Sequence, residues 1–422
     1  MQPVQPVKRV STTYDVVVIG GGPAGMMAAA TAANAQANVL LLEKNTVLGK
    51  KLSLTGGGRC NVTNNKPRVR DMLSAYKRDG KFLFSTFTQH GVAETLDWFQ
   101  SKNVTLIEEN EGRLFPHTHS AQTILKTLSE ELHTSGVSVQ VGEAVQAIVY
   151  DTKSQSFTIT TKENTYSARA CIVATGGTAR PDTGATGEGF AWIKGMGHQV
   201  FPNSTALVPL ALVPDWTKAL SGLTLSSVSV SVWAYDKKQM AASGRLLFTH
   251  FGVTGPLILN MSAYVGEFLE HTPVTLRLDV FPQYDAGALK AYFKTLLASN
   301  KKLVNTLAIV LPRKLVQGVL QELQISGETP CHSVSTQDRK QLRTYLKAIP
   351  LPVAGLLGPD KAVISSGGVK LEEIDFKTMQ SKIIPGLYLI GDMLHINRPS
   401  GGYSLQLCWS TGYVAGSSAA KI

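Results

Sequence analysis

Between Asp15 and Glu43 an apolar run, a glycine cluster, an alanine-rich stretch and a second apolar run follow one another without a break. Val16, Val17, Val18 and Ile19 read as a buried strand, the residues up to about Asn34 as a helix, and Val39 to Leu42 as the next strand, which together predict a βαβ unit. The turn between first strand and helix is Gly20-x-Gly22-x-x-Gly25. Gly20 makes the tight turn, Gly22 lets backbone N–H groups approach a pyrophosphate, and Gly25 lets helix and strand pack closely, while the helix N-terminus supplies partial positive charge. Glu43 ends the second strand 18 positions past Gly25, where a carboxylate accepts from ribose hydroxyls. The unit predicts a dinucleotide site. An acid at Glu43 disfavours a 2′-phosphate, which leaves FAD and NAD.

The other end of the chain separates these two. Leu387-Tyr388-Leu389-Ile390-Gly391-Asp392 is a strand running into a glycine turn, similar to the second flavin motif of glutathione-reductase-like FAD proteins, where the aspartate meets the ribityl chain. Between the two ends the periodicity changes twice. From about Ala206 to Val280, stretches such as Ser227 to Trp233 alternate with period two, whereas residues 283 to 350 return to helical spacing, as in Leu289, Tyr292, Phe293, Leu296 and Leu297. A strand signal follows at 363–369. The expected fold class is α/β: a discontinuous Rossmann-type FAD-binding domain in 1–202 and 353–422, an inserted antiparallel β domain in 203–282, and a small basic helical domain in 283–352.

Composition agrees with several packed domains: 422 residues, 43% of them hydrophobic and 17% charged. The four cysteines, Cys60, Cys171, Cys331 and Cys408, form no C-x-x-C pair and are too few to staple such a length, so neither a disulfide framework nor a metal site is expected. No apolar run approaches the roughly 20 residues that span a bilayer, and residues 1–15 lack an apolar stretch behind their basic side chains. No membrane association is expected, and a reducing cytoplasm is the expected location.

Further motifs narrow the reading. Val18-Ile19-Gly20-Gly21-Gly22-Pro23-Ala24-Gly25, Leu48-Gly49-Lys50-Lys51-Leu52 and Thr55-Gly56-Gly57-Gly58-Arg59-Cys60-Asn61-Val62-Thr63-Asn64 resemble the BaiN-like (YhiN-like) family of FAD-dependent oxidoreductases. Ala174-Thr175-Gly176-Gly177, Phe248 to Pro256, and Arg398-Pro399-Ser400-Gly401-Gly402-Tyr403-Ser404-Leu405-Gln406 agree with it as well. The resemblance covers nearly the whole chain and implies an FAD domain interrupted by β-rich and helical insertions. The cofactor-binding set expected with it is Gly20, Gly22, Pro23, Ala24, Gly25, Glu43, Lys44, Lys51, Gly57, Gly58, Arg59, Cys60, Asn61, Val145, Thr175, Gly176, Gly391, Asp392, Gly402, Tyr403, Ser404 and Leu405. Substrate is left open by the resemblance. Relatives act on conjugated double bonds of bile-acid-type steroids, on aminoacetone, or on uridine of large-subunit ribosomal RNA, and one fold hosts all of these.

Three residues are expected to take part in chemistry. Arg59 is placed to polarise the flavin or hold an anionic group, with a surface salt bridge as its plain alternative. Cys60 offers a thiol of pKa near ~8.5 that can protonate the second carbon when hydride reaches the first, although free cysteines mostly pack inertly. His250, between aromatic residues in Phe248 to Gly252, is expected as a wall of the substrate pocket or as a packed histidine. His117-x-His119 has no carboxylate or cysteine partner in sequence, so no metal is expected there. No second G-x-G-x-x-G follows a strand, so NAD(P)H is expected to act as a transient reductant docking over the flavin.

The formal charge is +11 and is unevenly placed. Residues 283–350 hold ten basic side chains against four acids, and residues 66–81 hold six against two. Such local excess steers a polyanion, or simply solvates helix faces. The leading expectation is therefore an FAD-dependent oxidoreductase, a reductase of an activated C=C bond, with uridine in large-subunit ribosomal RNA as substrate and both basic segments as its partner surface. The alternatives are an enone reductase or amine oxidase on a small molecule, and a non-catalytic RNA-binding flavoprotein.

Overall fold

The computed structural model describes residues 11–358, 360–362 and 364–422. The leader considered for residues 1–15 lies outside the described residues for Met1 to Val10, as does Val363 of the expected strand at 363–369. The chain divides into two units, residues 1–205 with 363–422, and residues 206–362.

The first unit rests on a parallel sheet. β1 (Ser11–Ile19) ends at the glycine turn, the first helix (Pro23–Asn34) returns, and β2 (Val39–Glu43) lies parallel to β1 with Ile19 opposite Leu42. A small antiparallel sheet follows, β3 (Thr63–Asn64), β4 (Leu106–Glu109) and β5 (Arg113–Pro116), in the order β3-β5-β4. β6 (Ser138–Val141) then extends the main sheet beyond β2, and β7 (Val145–Asp151), β8 (Ser156–Thr161) and β9 (Thr165–Val173) form a meander whose last strand runs parallel to β1. Strand order reverses at β1, which has β2 on one side and β9 on the other, and such a switch point opens a crevice at the carboxyl ends of the strands. Val16 to Ile19 and Val39 to Leu42 are buried on both faces, which explains their unbroken apolar runs.

The second unit is a closed barrel with helices packed on it. Its strands are β11 (Leu210–Leu212), β12 (Thr224–Ala234), β13 (Lys237–Thr249), β14 (Gly252–Thr254), β15 (Thr275–Asp279) and β16 (Ile349–Leu356), arranged β11-β14-β13-β12-β15-β16, with β16 closing on β11. The period-two signal is real: Val228, Val230 and Val232 are buried, with Ser229, Ser231 and Trp233 on the other face. The helices Ala286–Leu296, Leu303–Leu307, Arg313–Glu322 and Thr336–Leu346 share one core with the barrel, Leu289, Phe293 and Leu346 packing in the same cluster as Leu276 and Ile349. The boundary expected at 352/353 instead falls inside β16. Pro350 and Pro352 obscure that strand in the sequence; they sit at alternate positions opposite Arg277 and Thr275, while Ile349 and Leu351 are fully buried.

The chain returns through β17 (Ile364–Val369), which pairs with β10 (Val200–Ala206), then β18 (Ile374–Asp375), β19 (Gln380–Ser381) and β20 (Leu387–Leu389), and β20 joins β9 in parallel. The C-terminal helix, Tyr403–Ala419, then packs on the first helix. A Cβ on Gly412 would lie 2.5 Å from the Ala24 carbonyl oxygen, and one on Gly416 would lie 2.3 Å from that of Ala28. Only glycine at these two positions, one helical turn apart, allows the two backbones to touch.

His90, at the end of the helix Gly80–Gln89, stacks on Tyr413 of the C-terminal helix with ring centroids 4.3 Å apart. It is 3% exposed, and burial lowers its pKa from 6.5 to about 4, against a smaller opposite pull from Glu94. The unfolded chain therefore takes up this proton first. The neutral ring's contribution is complete above pH 6.5, shrinks as pH falls toward 4, and amounts to about 3 kcal/mol over that span. Denaturant melts at pH 7 and pH 4.5 should show this loss in the wild type, and His90→Phe should remove most of the difference.

Candidate functional site

The glycine turn is built by contacts that exclude side chains. Gly20 has φ +109°, and a Cβ on it would lie 2.6 Å from the Ala174 carbonyl oxygen; one on Gly25 would lie 1.9 Å from that of Gly20. Gly22 differs, because nothing lies within 4 Å of a Cβ placed there, so its open side faces the cleft. Pro23 follows at the first helical position, and the first-turn N–H groups of Ala24 and Gly25 have no i−4 partner within the helix. Glu43 also braces the turn: one carboxylate oxygen accepts from Gly21 N at 2.7 Å, the other from Asn45 N at 2.8 Å and Asn45 Nδ2 at 2.6 Å.

Above this turn the first unit holds a cleft with about 1230 Å³ of empty space, part of it open to solvent. Of the expected cofactor residues, Gly20, Gly22, Pro23, Ala24, Glu43, Lys44, Lys51, Val145, Thr175, Gly176, Gly391, Asp392, Ser404 and Leu405 line it. Gly25 packs beneath the turn. The rest of the set lies outside that lining. Asn61, with its amide oriented by its neighbours, donates to the carbonyls of Thr63 (3.0 Å) and Leu114 (3.2 Å) and accepts from Gly402 N at 2.9 Å. Asn64 Nδ2 donates to Gly401 O at 3.1 Å, and the Tyr403 carbonyl accepts from the Tyr76 hydroxyl at 2.7 Å. These bonds stitch the loop after Thr55 to the turn at 401–403, with Gly57 and Gly58 at its outer bend in open space.

Arg59 pairs with Glu109 at 2.6 Å and lies over the Phe115 ring, 4.2 Å from its centroid. Cys60 is fully buried with φ +62°, a left-handed backbone that non-glycine residues seldom adopt. Burial pushes its thiol up to about 12, so it keeps its proton at neutral pH. His119 Nδ1 approaches the same Glu109 at 3.9 Å, and among the described residues no group of three His, Cys, Asp or Glu is placed to hold a metal ion. His250 belongs to the second unit, exposed in the turn between β13 and β14, with its ring edge-on to Phe251.

Sequence reasoning missed a strap. Residues Thr183 to Glu188 line the cleft and are tied to the loop after β2. Lys44 Nζ reaches Thr186 Oγ1 at 2.7 Å and Glu188 Oε2 at 2.9 Å, Asn45 Nδ2 reaches Thr183 O at 3.0 Å, and Lys50 Nζ reaches Asp182 O at 2.7 Å. The run Thr183-Gly-Ala-Thr-Gly-Glu-Gly189 after a strand was the signal for it. Glu143, Trp192 and Cys408 are further lining residues that no motif announced.

Asp392 carries the sharpest electrostatics of the cleft. Burial alone would raise its pKa, but Arg398 and Lys51 beside it outweigh that and hold the carboxyl below its ordinary value. Cys408, nearby, is pushed up to about 12, first by burial and then by the Asp392 charge.

Glycine turn, switch-point cleft, acid on β2 and aspartate beyond β20 define a Rossmann-type flavoprotein oxidoreductase. The chain belongs to the HI0933-like family, whose model, described as the HI0933-like protein Rossmann domain, matches residues 14–418. It is an FAD-dependent oxidoreductase. It is 30% identical to the 3-dehydro-bile acid delta(4,6)-reductase of Clostridium scindens over 96% of this chain and 98% of that one. It is 29% identical to the ribosomal RNA dihydrouridine synthase of Escherichia coli over 95% of this chain and 96% of that one. The fold is similar to that of 3-ketosteroid-delta4-(5alpha)-dehydrogenase from Rhodococcus jostii RHA1, with a TM-score of 0.53, 16% identity and 99% of both chains covered.

The residues present fit FAD: Gly22 leaves room where the pyrophosphate meets the helix, Glu43 keeps about one of its four lone pairs for a ribose hydroxyl, and Asp392 presents a charged acceptor. The partly exposed Lys44–Glu188 pair closes the strap over this site at a gain of about 0.5–1 kcal/mol. Stopped-flow measurement of FAD release should therefore show two- to fivefold faster dissociation in Glu188→Gln, with a similar acceleration of the wild type in high salt.

Proposed function

We propose that this protein is a reductase of a C=C bond conjugated to a carbonyl, with uridine in large-subunit ribosomal RNA as leading substrate and dihydrouridine as product. The observation that carries reduction is the end-to-end likeness to two relatives whose names both describe saturation of such a bond, one in a bile acid and one in ribosomal RNA. An enone and the 5,6 bond of uracil share the same polarised alkene, so one site chemistry serves both. FAD bound in the cleft supplies hydride transfer. NAD(P)H is the proposed reductant, docking transiently.

What the protein must add is orientation, charge stabilisation and a proton. The glycine turn and Glu43 fix the adenosine end of the cofactor, and Asp392 its central chain. Arg59 is proposed to receive an anionic substrate group, which requires it to exchange its present partner Glu109. Cys60 holds a proton on its sulfur, and His250 stands exposed on the second unit. Replacement of Cys60 by Ala separates donor from packing role: a proton donor predicts a loss of about 10²-fold or more in turnover with FAD affinity unchanged, whereas a packing thiol predicts turnover near the wild-type rate in Cys60→Ser.

RNA is favoured as substrate by the segment 66–81, which lies in the same unit as the cleft. Arg68, Arg70, Lys77, Arg78 and Lys81 are exposed there, and Lys66 lies over the Tyr403 ring at 5.6 Å. The basic helices of 283–350 contribute less than their composition implies. Lys347 pairs with Asp279 at 2.6 Å, Lys302 with Glu328 at 2.5 Å, and Arg339 donates to the carbonyls of Val334 and Cys331. Lys290, Lys294, Lys301, Lys314 and Lys340 remain exposed.

Deleting the gene should abolish a dihydrouridine in large-subunit ribosomal RNA, read by mass spectrometry, and purified protein should bind that RNA with affinity falling steeply with salt. Replacing Arg68 and Arg70 should lower the slope of log affinity against log salt by about two. Unchanged modification with no salt-sensitive binding would place a small-molecule enone ahead.

A further inference from the structure

Arg398 does not itself line the cleft. Its side chain is 1% exposed, and its guanidinium is fixed by three acceptors. Nη1 donates to Ile396 O at 2.7 Å, Nε to Ser404 Oγ at 3.0 Å, and Nη2 to Asp392 Oδ1. Lys51 Nζ stands 3.3 Å from the other carboxylate oxygen, Oδ2. Asp392, Ser404 and Lys51 all line the cleft, while Arg398 is behind them. One buried fork thus grips two cleft residues at once.

That arrangement has a chemical consequence for each. A carboxyl in this environment without its cations would hold a proton, and a protonated carboxyl turns one acceptor oxygen into a donor. Ser404 Oγ accepts from Arg398, which leaves its own proton available for an acceptor in the cleft that Ser404 lines. Lys51 alone is a weaker guarantor: it is 27% exposed, is a point charge on a flexible stem, and cannot fork between two partners.

We infer that Arg398 is a positioning residue for FAD, keeping Asp392 ionised and aimed as an acceptor for a hydroxyl of the cofactor's polyol chain, and orienting Ser404 as a donor to the same cofactor. The inference rests on the flavin reading of the cleft. The other titratable groups facing the pair are Tyr76, near Arg398, and Cys408, near Asp392; burial raises both above their ordinary values, so they stay neutral across the range that matters.

The test is FAD affinity from pH 5 to pH 8, measured by flavin fluorescence on deflavinated full-length protein, with far-UV circular dichroism to confirm folding. Wild type should bind with nearly constant affinity. R398M should bind about 10- to 100-fold more weakly, as when a group that orients a ligating side chain is removed, and should weaken further toward pH 5 as Asp392 protonates. R398K should keep the flat profile while recovering only part of the affinity, since it retains the charge but not the fork, and it carries the test if R398M does not fold. D392N should be weak at every pH, and adding R398M to it should cost clearly less than R398M costs alone, the remainder being the Ser404 contact. Wild-type affinity and profile in R398M or, should that not fold, a steep acid loss in R398K, or additive losses in the double variant, would overturn the inference. A wild type that takes up no FAD would overturn the cofactor reading and this inference together, which is a distinguishable result.

Discussion

The first and last helices touch backbone to backbone, and the rest of the first unit is arranged around that contact. Gly412 and Gly416 meet the carbonyls of Ala24 and Ala28, so the N-terminal end of the first helix is held beside the segment that brings in Gly391, Ser404 and Cys408. The Gly391 N–H donates to Thr411 Oγ1 of the same C-terminal helix at 3.1 Å. A cleft whose walls come from residues 19–55, 143–145, 174–192 and 390–408 keeps its shape only while this seam is closed. Bulk at either glycine would push the walls apart by moving whole helices, since packed backbones have nowhere to yield.

The cleft's charges are arranged by the same economy of parts. Glu43 both faces the cavity and ties Gly21 in place, so one acid lines the cleft and fixes the glycine turn beneath it. Asp392 is buried between Lys51 and Arg398 on its two oxygens, which keeps a full negative charge in an apolar wall. At the mouth, Lys44, Asn45 and Lys50 reach across to the strap, and these bonds are exposed enough to open and close in solution.

Much of this was legible from residue order alone, because the informative signals were local. The strand, glycine turn, helix and acid of 16–43 announce a nucleotide site within one βαβ unit, and Leu387 to Asp392 announces its distant partner. The alternation of 227–233 announces the barrel. What sequence did not show is pairing across long separations. β16 hides behind Pro350 and Pro352, and only its register with β15 and β11 reveals it as a barrel stave. The strap at 183–188 reads as another glycine-rich loop until Lys44 and Asn45 are seen to hold it, some 140 residues away. Charge counting also leaves out that Lys347 is engaged with Asp279, 68 residues away, a pairing that no window of sequence contains. Cys60 and Arg59 stand next to one another in a glycine-rich loop, yet one is buried and the other pairs with Glu109, a difference set by which way each side chain leaves a strained turn.

The meeting of the two terminal helices also sets a schedule. During translation residues 1–205 emerge with half of their nucleotide-binding crevice missing, and the barrel is made before the remaining half appears. Until Tyr403–Ala419 leaves the ribosome, the side of the first helix that Gly412 and Gly416 meet, at Ala24 and Ala28, has no cover, and Arg398 lacks its Ser404 partner. The crevice therefore gains its last wall only when residues 390–408 dock, and flavin capture has to wait for that docking.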